Sequence, residues 1–159
     1  MGDLIDWQFN DGGRKDSGYK GFSGDCVVRA IAIATEQPYA QVYDELQERQ
    51  KHWWATSRKR FIVKKRKLGT PAPSIRNKSY REVYEPYLKS IGWHWCPTMK
   101  VGVGCKVHLR ADELPRARLI VAVSKHLTAV VNGTILDTYD CSREGTRCVY
   151  GYYIQSEQV

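Results

Sequence analysis

Two segments of this 159-residue chain hold side chains that could form and break covalent bonds. The first is Gly24-Asp25-Cys26-Val27-Val28-Arg29-Ala30. The second is Lys125-His126-Leu127-Thr128-Ala129-Val130, followed by Leu136-Asp137-Thr138. A thiol attacks a carbonyl only as thiolate, so it needs a base to hold its proton and a third group to fix that base. A free thiol has a pKa near ~8.5, which a helix N-terminus and a neighbouring imidazolium both lower. Cys26 meets the first condition by position: Asp25 is of N-cap type, and Val27, Ala30, Ile31, Ile33 and Ala34 continue an apolar helix. The competing reading is that Cys26 is a small buried hydrophobe, as most internal cysteines are.

The base and its orienter follow from strand register. Asn132-Gly133 between two strand-like runs is a two-residue hairpin signal. It places Val131 opposite Thr134, Ala129 opposite Leu136 and Thr128 opposite Asp137. His126 and Thr128 share a face because side chains alternate, so Asp137 is a diagonal neighbour of His126. A carboxylate there can hold one imidazole nitrogen and leave the other for Cys26. The competing reading is a His and an Asp on an exposed hairpin. The aliphatic run Leu119-Ile120-Val121-Ala122-Val123 just before it argues for a central sheet instead.

The elements that must position these groups read as helices first and strands afterwards, an α+β order. Helical patterns cover 25–34, a second stretch after Pro38 with Tyr39, Val42, Tyr43 and Leu46 in one stripe, and a third from the capping-box spacing Ser79-Tyr80-Arg81-Glu82 to Gly92. Pro86 inside the third predicts a kink or a shifted start. Strands are expected at 5–9, 93–96, 106–109, 118–124, 126–131, 134–138 and 148–154. The length predicts one domain, 1–159, with a basic insertion at about 49–81.

Cysteine on the first turn of a central helix, histidine opening a later strand and Asp on the next strand resemble the papain-like cysteine peptidase superfamily. The quoted segments are also similar to those of small papain-like proteins of bacteriophages and prophages, over about 12–153. The resemblance implies a central helix packed on a C-terminal antiparallel sheet, with Cys26 as nucleophile, His126 as base and Asp137 as orienter. It also implies a glutamine six residues before the cysteine as oxyanion donor. Lys20 stands there, so Lys20, Tyr19 and Ser23 are the oxyanion candidates beside the Cys26 backbone amide. The implied activity is hydrolysis of a peptide, isopeptide or amide bond, and acyl transfer would use the same residues.

The formal charge of +8 is unevenly placed: twelve Lys or Arg residues and no acid lie from Arg49 to Arg81. Arg58-Lys59-Arg60 and Lys64-Lys65-Arg66-Lys67 form a block that attracts phosphate or acidic partners. A second reading is therefore a catalytically degenerate scaffold gripping nucleic acid or an acidic host protein through that block. Five cysteines, an odd count, without a signal-peptide pattern argue against a disulfide framework and for a cytoplasmic location, the host cytoplasm if phage-encoded. Neither C-x-x-C nor H-x₃₋₅-H occurs, so zinc would need scattered ligands such as His94, Cys96, Cys105 and His108. No metal, cofactor or membrane span is expected.

Overall fold

A computed structural model describes residues 4–20 and 24–156. Among the described residues, four helices and a six-stranded mixed sheet form an α+β fold. The helices are α1 (Cys26–Thr35), α2 (Tyr39–Thr56), α3 (Arg60–Lys67) and α4 (Arg81–Ser90). The strands are β1 (Asp6–Phe9), β2 (Trp93–Pro97), β3 (Arg118–Val123), β4 (His126–Val131), β5 (Thr134–Asp137) and β6 (Gly151–Gln155), in sheet order β1-β5-β4-β3-β6-β2.

Helix α1 is buried on nearly all sides, as its apolar circumference requires. It packs on one face of the sheet with α2 and α4. Val28, Ile31, Val42, Leu46, Leu88, Ile120 and Ala129 are sealed between them. The opposite face is covered by loop residues, with Leu109, Leu114, Cys141 and Val149 against Leu119, Val121, Val130 and Ile135. Arg118 anchors the far end of α1: Nε and Nη2 donate to the carbonyls of Ala34 and Ile33 at 2.9 and 2.6 Å. A cation on the last carbonyls of a helix satisfies acceptors that have no intrahelical partner and opposes the dipole.

The β4–β5 hairpin turns at Asn132 and Gly133 with φ of 48 and 84°, the paired left-handed geometry that Asn-Gly favours. Its register is Val131↔Thr134, Val130↔Ile135 and Ala129↔Leu136, as the sequence predicts. Two expectations about the sheet fail. It is not purely antiparallel, because the N-terminal arm adds β1 as an edge strand parallel to β5. The 106–109 stretch makes only an isolated bridge, His108↔Cys148, and β6 begins at Gly151 rather than at Cys148.

The helical expectations also need correction. Helix α3, inside the basic stretch, was not expected; Ile62 buries its one sealed side chain there. The capping box before α4 does not form: Ser79 Oγ donates to the Ile75 carbonyl and Glu82 pairs with Lys59. Pro86 lies inside α4 without displacing its start. Cys105 is disulfide-bonded to Cys148, against the expectation of no disulfides. Among the described residues no helix is long and apolar enough to cross a membrane.

Candidate active site

The ends of three elements meet at one end of the interior strands. Cys26 is the first residue of α1, His126 the first of β4 and Asp137 the last of β5. Helix α1 runs along β4, so its N-terminus arrives where β4 begins. His126 Nε2 lies 2.7 Å from Asp137 Oδ2. Cys26 lies close enough to His126 for the imidazole to act on its thiol. The Tyr139 ring lies 5.3 Å from the imidazole, centroid to centroid, and shields it from one side.

Asp137 is 3 % exposed and its oxygens are well occupied. Thr128 Oγ1 donates to Oδ2 at 2.7 Å, the Thr138 amide donates to Oδ1 at 2.7 Å, and Arg29 Nη2 reaches Oδ1 at 3.4 Å. Burial alone would favour the neutral acid. The bond and charge of His126, with the Thr128 and Thr138 donors, outweigh it and hold the carboxyl below its ordinary value. Burial likewise opposes charge on His126, but its bonds to Asp137, Cys141 and Cys26 raise its pKa far above the ordinary imidazole range. Burial pushes the Cys26 thiol up. The hydrogen bond and charge of His126, the Leu127 amide and the Arg29 charge overcome that and leave it lowered. All three directions favour the charged form of the group concerned.

Asp25 does not cap α1 with its side chain, contrary to the sequence expectation. Its carboxylate turns inward, fully buried, and accepts from Arg29, from Arg14 at 3.0 Å and from Tyr39 Oη at 2.7 Å. The N-terminal arm reaches this place because Gly12 has no side chain. A Cβ there would stand 3.2 Å from the Arg29 backbone, and its φ of 72° suits glycine. Arg29 thus joins Asp25, the neighbour of Cys26, to Asp137, the partner of His126. Sequence reasoning missed Arg29; a lone Arg on an otherwise apolar helix was the available signal.

Cys26 and His126 open into a cleft of about 460 Å³. Gly24, Val27 and Leu127 lie beside them. One wall is the 77–84 stretch and another comes from Trp95, Ala122 and Tyr150. Gly151 makes room for Trp95, because a Cβ there would fall 2.4 Å from the indole.

The oxyanion candidates are not confirmed in place. Neither Lys20 nor Tyr19 lines the cleft. The Tyr19 ring packs at a tilt against those of Tyr39 and Tyr43, at 5.2 and 4.9 Å, and Lys20 is exposed with its carbonyl taken by Arg76. Ser23 lies outside the described residues. Donor-bearing residues that line the cleft include Asn77, Lys78, Ser79, Arg81 and Lys125, and the first-turn amides of α1 have no intrahelical acceptor. No sequence signal marked Asn77, which comes from a distant turn.

Other candidate groups are dispersed. Of the scattered zinc set, Cys105 is bonded to Cys148, His94 Nδ1 meets Ser156 Oγ at 3.2 Å and His108 Nδ1 meets Glu113 at 3.2 Å. A tighter group, unforeseen in the sequence, is His126, Asp137 and Cys141, whose ligand atoms lie within 4.8 Å of one another. In the basic block, Arg66 donates to the Trp54 and Ser57 carbonyls, both at 2.7 Å, and Lys59 pairs with Glu82. Arg58, Arg60, Lys64, Lys65 and Lys67 are exposed, and none forms an ion pair among the described residues. No family model matches this chain, and searches of curated proteins and of solved structures return no match.

Proposed function

We propose that this chain is a papain-like cysteine hydrolase acting on a peptide, isopeptide or amide bond. The observation that carries this reading is His126, bonded to Asp137 and lining one cleft with Cys26. The Cys26 thiolate attacks the carbonyl carbon, and a C–S bond forms as the carbonyl π pair moves to oxygen. This reading assigns that oxyanion to the first-turn amides of α1, with Asn77 at the cleft wall. Collapse breaks the C–N bond, and the His126 imidazolium gives its proton to the departing nitrogen. The acyl group then stays on Cys26 as a thioester. Water attacks it, His126 takes the water proton, the C–S bond breaks and the thiolate returns. An amine in place of that water gives acyl transfer by the same steps. Asp137 keeps its charge throughout and stabilises the imidazolium.

The exposed cations of α3 favour a second reading, in which the same body binds nucleic acid or an acidic protein. A steep loss of affinity with salt is the signature of that alternative. A peptidyl vinyl sulfone separates the two. The hydrolase reading predicts a single adduct on Cys26 of the native chain, lost on unfolding and in His126→Ala. An adduct spread over Cys26, Cys96 and Cys141, indifferent to His126, would overturn it.

A further inference from the structure

The charge of the cleft is one-sided. Lys78, Arg81 and Lys125 line it, and no Asp or Glu does among the described residues. Arg81 is largely spoken for: it donates to Glu85 at 3.0 and 3.1 Å and lies 4.4 Å over the Trp95 ring. Lys78 and Lys125 are exposed and form no ion pair with a described acid, Lys78 Nζ lying 5.7 Å over the Tyr80 ring. They come from separate segments, Lys78 from the turn before α4 and Lys125 from the β3–β4 turn, where its φ of 57° sets it immediately before His126. Tyr84, Trp95 and Leu127 give the same cleft an apolar and aromatic part.

A cleft with low-dielectric walls and one sign of charge concentrates ligands of the other sign. The thiolate of Cys26 calls for an acyl carbon, which excludes a bare phosphodiester as the reacting group. We propose that the cleft takes an acidic peptide segment, with carboxylates meeting Lys78 and Lys125 and an apolar residue seated against Trp95. This rests on the cysteine-hydrolase reading and adds the substrate class to it.

Two small alkylating reagents test it without a known substrate. Iodoacetate carries a carboxylate and iodoacetamide does not, so the ratio of their rates at Cys26 reads local charge, while iodoacetamide alone reads thiolate formation. The full chain is compared with the double variant Lys78→Glu, Lys125→Glu and with the milder Lys78→Gln, Lys125→Gln, sites being mapped by peptide mass. The ratio should fall on the order of tenfold in the Glu variant, within the range that a few charges at a cleft impose, and less in the Gln variant. Peptidyl vinyl sulfones bearing Glu should likewise outpace those bearing Lys in the native chain, and the order should reverse in the Glu variant. A fast Cys26 whose ratio ignores both variants overturns the acidic preference and leaves the hydrolase reading standing. A Cys26 no faster than Cys96 towards either reagent overturns both.

Discussion

Arg29 Nη2 stands 3.4 Å from Asp137 Oδ1, so the helix that carries Cys26 is tied directly to the carboxylate that holds His126. The same guanidinium bonds Asp25, which is fully buried. One guanidinium thereby links two buried acids, Asp25 at the start of α1 and Asp137 at the end of β5.

Replacing Arg29 should therefore damage stability as well as reactivity. Arg29→Met leaves Asp137 and Asp25 buried with fewer counter-charges, though Arg14 and Tyr39 still serve Asp25. Breaking a buried pair from one side costs about 3–5 kcal/mol. A fall in melting temperature on the order of 10 °C is expected in a thermal scan. A nearly neutral Arg29→Met would show that the tether contributes little.

Thr128 gives a milder test of the same carboxylate. Thr128→Val keeps shape and removes the 2.7 Å bond to Oδ2. A hydrogen bond to a charged group contributes roughly 1.5–3 kcal/mol, and urea unfolding should report a loss of that size. Alkylation of Cys26 at neutral pH should slow with it, because the imidazolium is then less well held. Unchanged unfolding would mean that water replaces the hydroxyl without loss.

Stability should depend on pH in two opposite limbs. The folded pKa of Asp137 is depressed, so its contribution is complete above the ordinary carboxylate value of 3.8 and disappears as pH falls through the lower folded value. The folded pKa of His126 is raised, so its contribution is complete below the ordinary 6.5 and is lost only as pH climbs through the higher folded value. Asp137→Asn should flatten the acid limb, and His126→Ala the alkaline one. Unfolding curves across pH check both; an acid limb identical in Asp137→Asn would contradict the assignment.

The Cys105–Cys148 bond yields a count. Of the five cysteines, Cys26, Cys96 and Cys141 carry free thiols. Thiol titration of the unfolded, unreduced chain should give three groups, and five after reduction. Closing a loop of 43 residues is worth about 4 kcal/mol in the chain-entropy model, so Cys148→Ser should lower unfolding stability by up to that amount. Five thiols without reductant would contradict the pairing.

Much of this geometry was legible because it is local. Asn132-Gly133 dictates a two-residue turn, the turn dictates register, and register puts Asp137 beside His126. The apolar circumference of 27–34 likewise required a central helix with Cys26 at its start. What escaped depends on distant partners. Asp25 has the residue type of a cap, but Arg14, Arg29 and Tyr39 offer it more from far along the chain or from the helix interior. Lys20 stands six residues before Cys26, but aromatic packing of Tyr19 against Tyr39 and Tyr43 sets the path of that segment away from the cleft. Strand β1 pairs in parallel across more than a hundred residues with β5, and no local pattern encodes that. Cys105 and Cys148 meet only because the 98–107 loop folds back on the chain before β6.

The most direct test is the pH profile of Cys26 alkylation by iodoacetamide in the native chain and in His126→Ala. A thiolate kept by an imidazolium predicts rapid alkylation well below the ordinary thiol value of 9.0, with the inflection moving up when His126 is removed. An inflection at or above 9.0 that His126→Ala leaves in place would contradict the account.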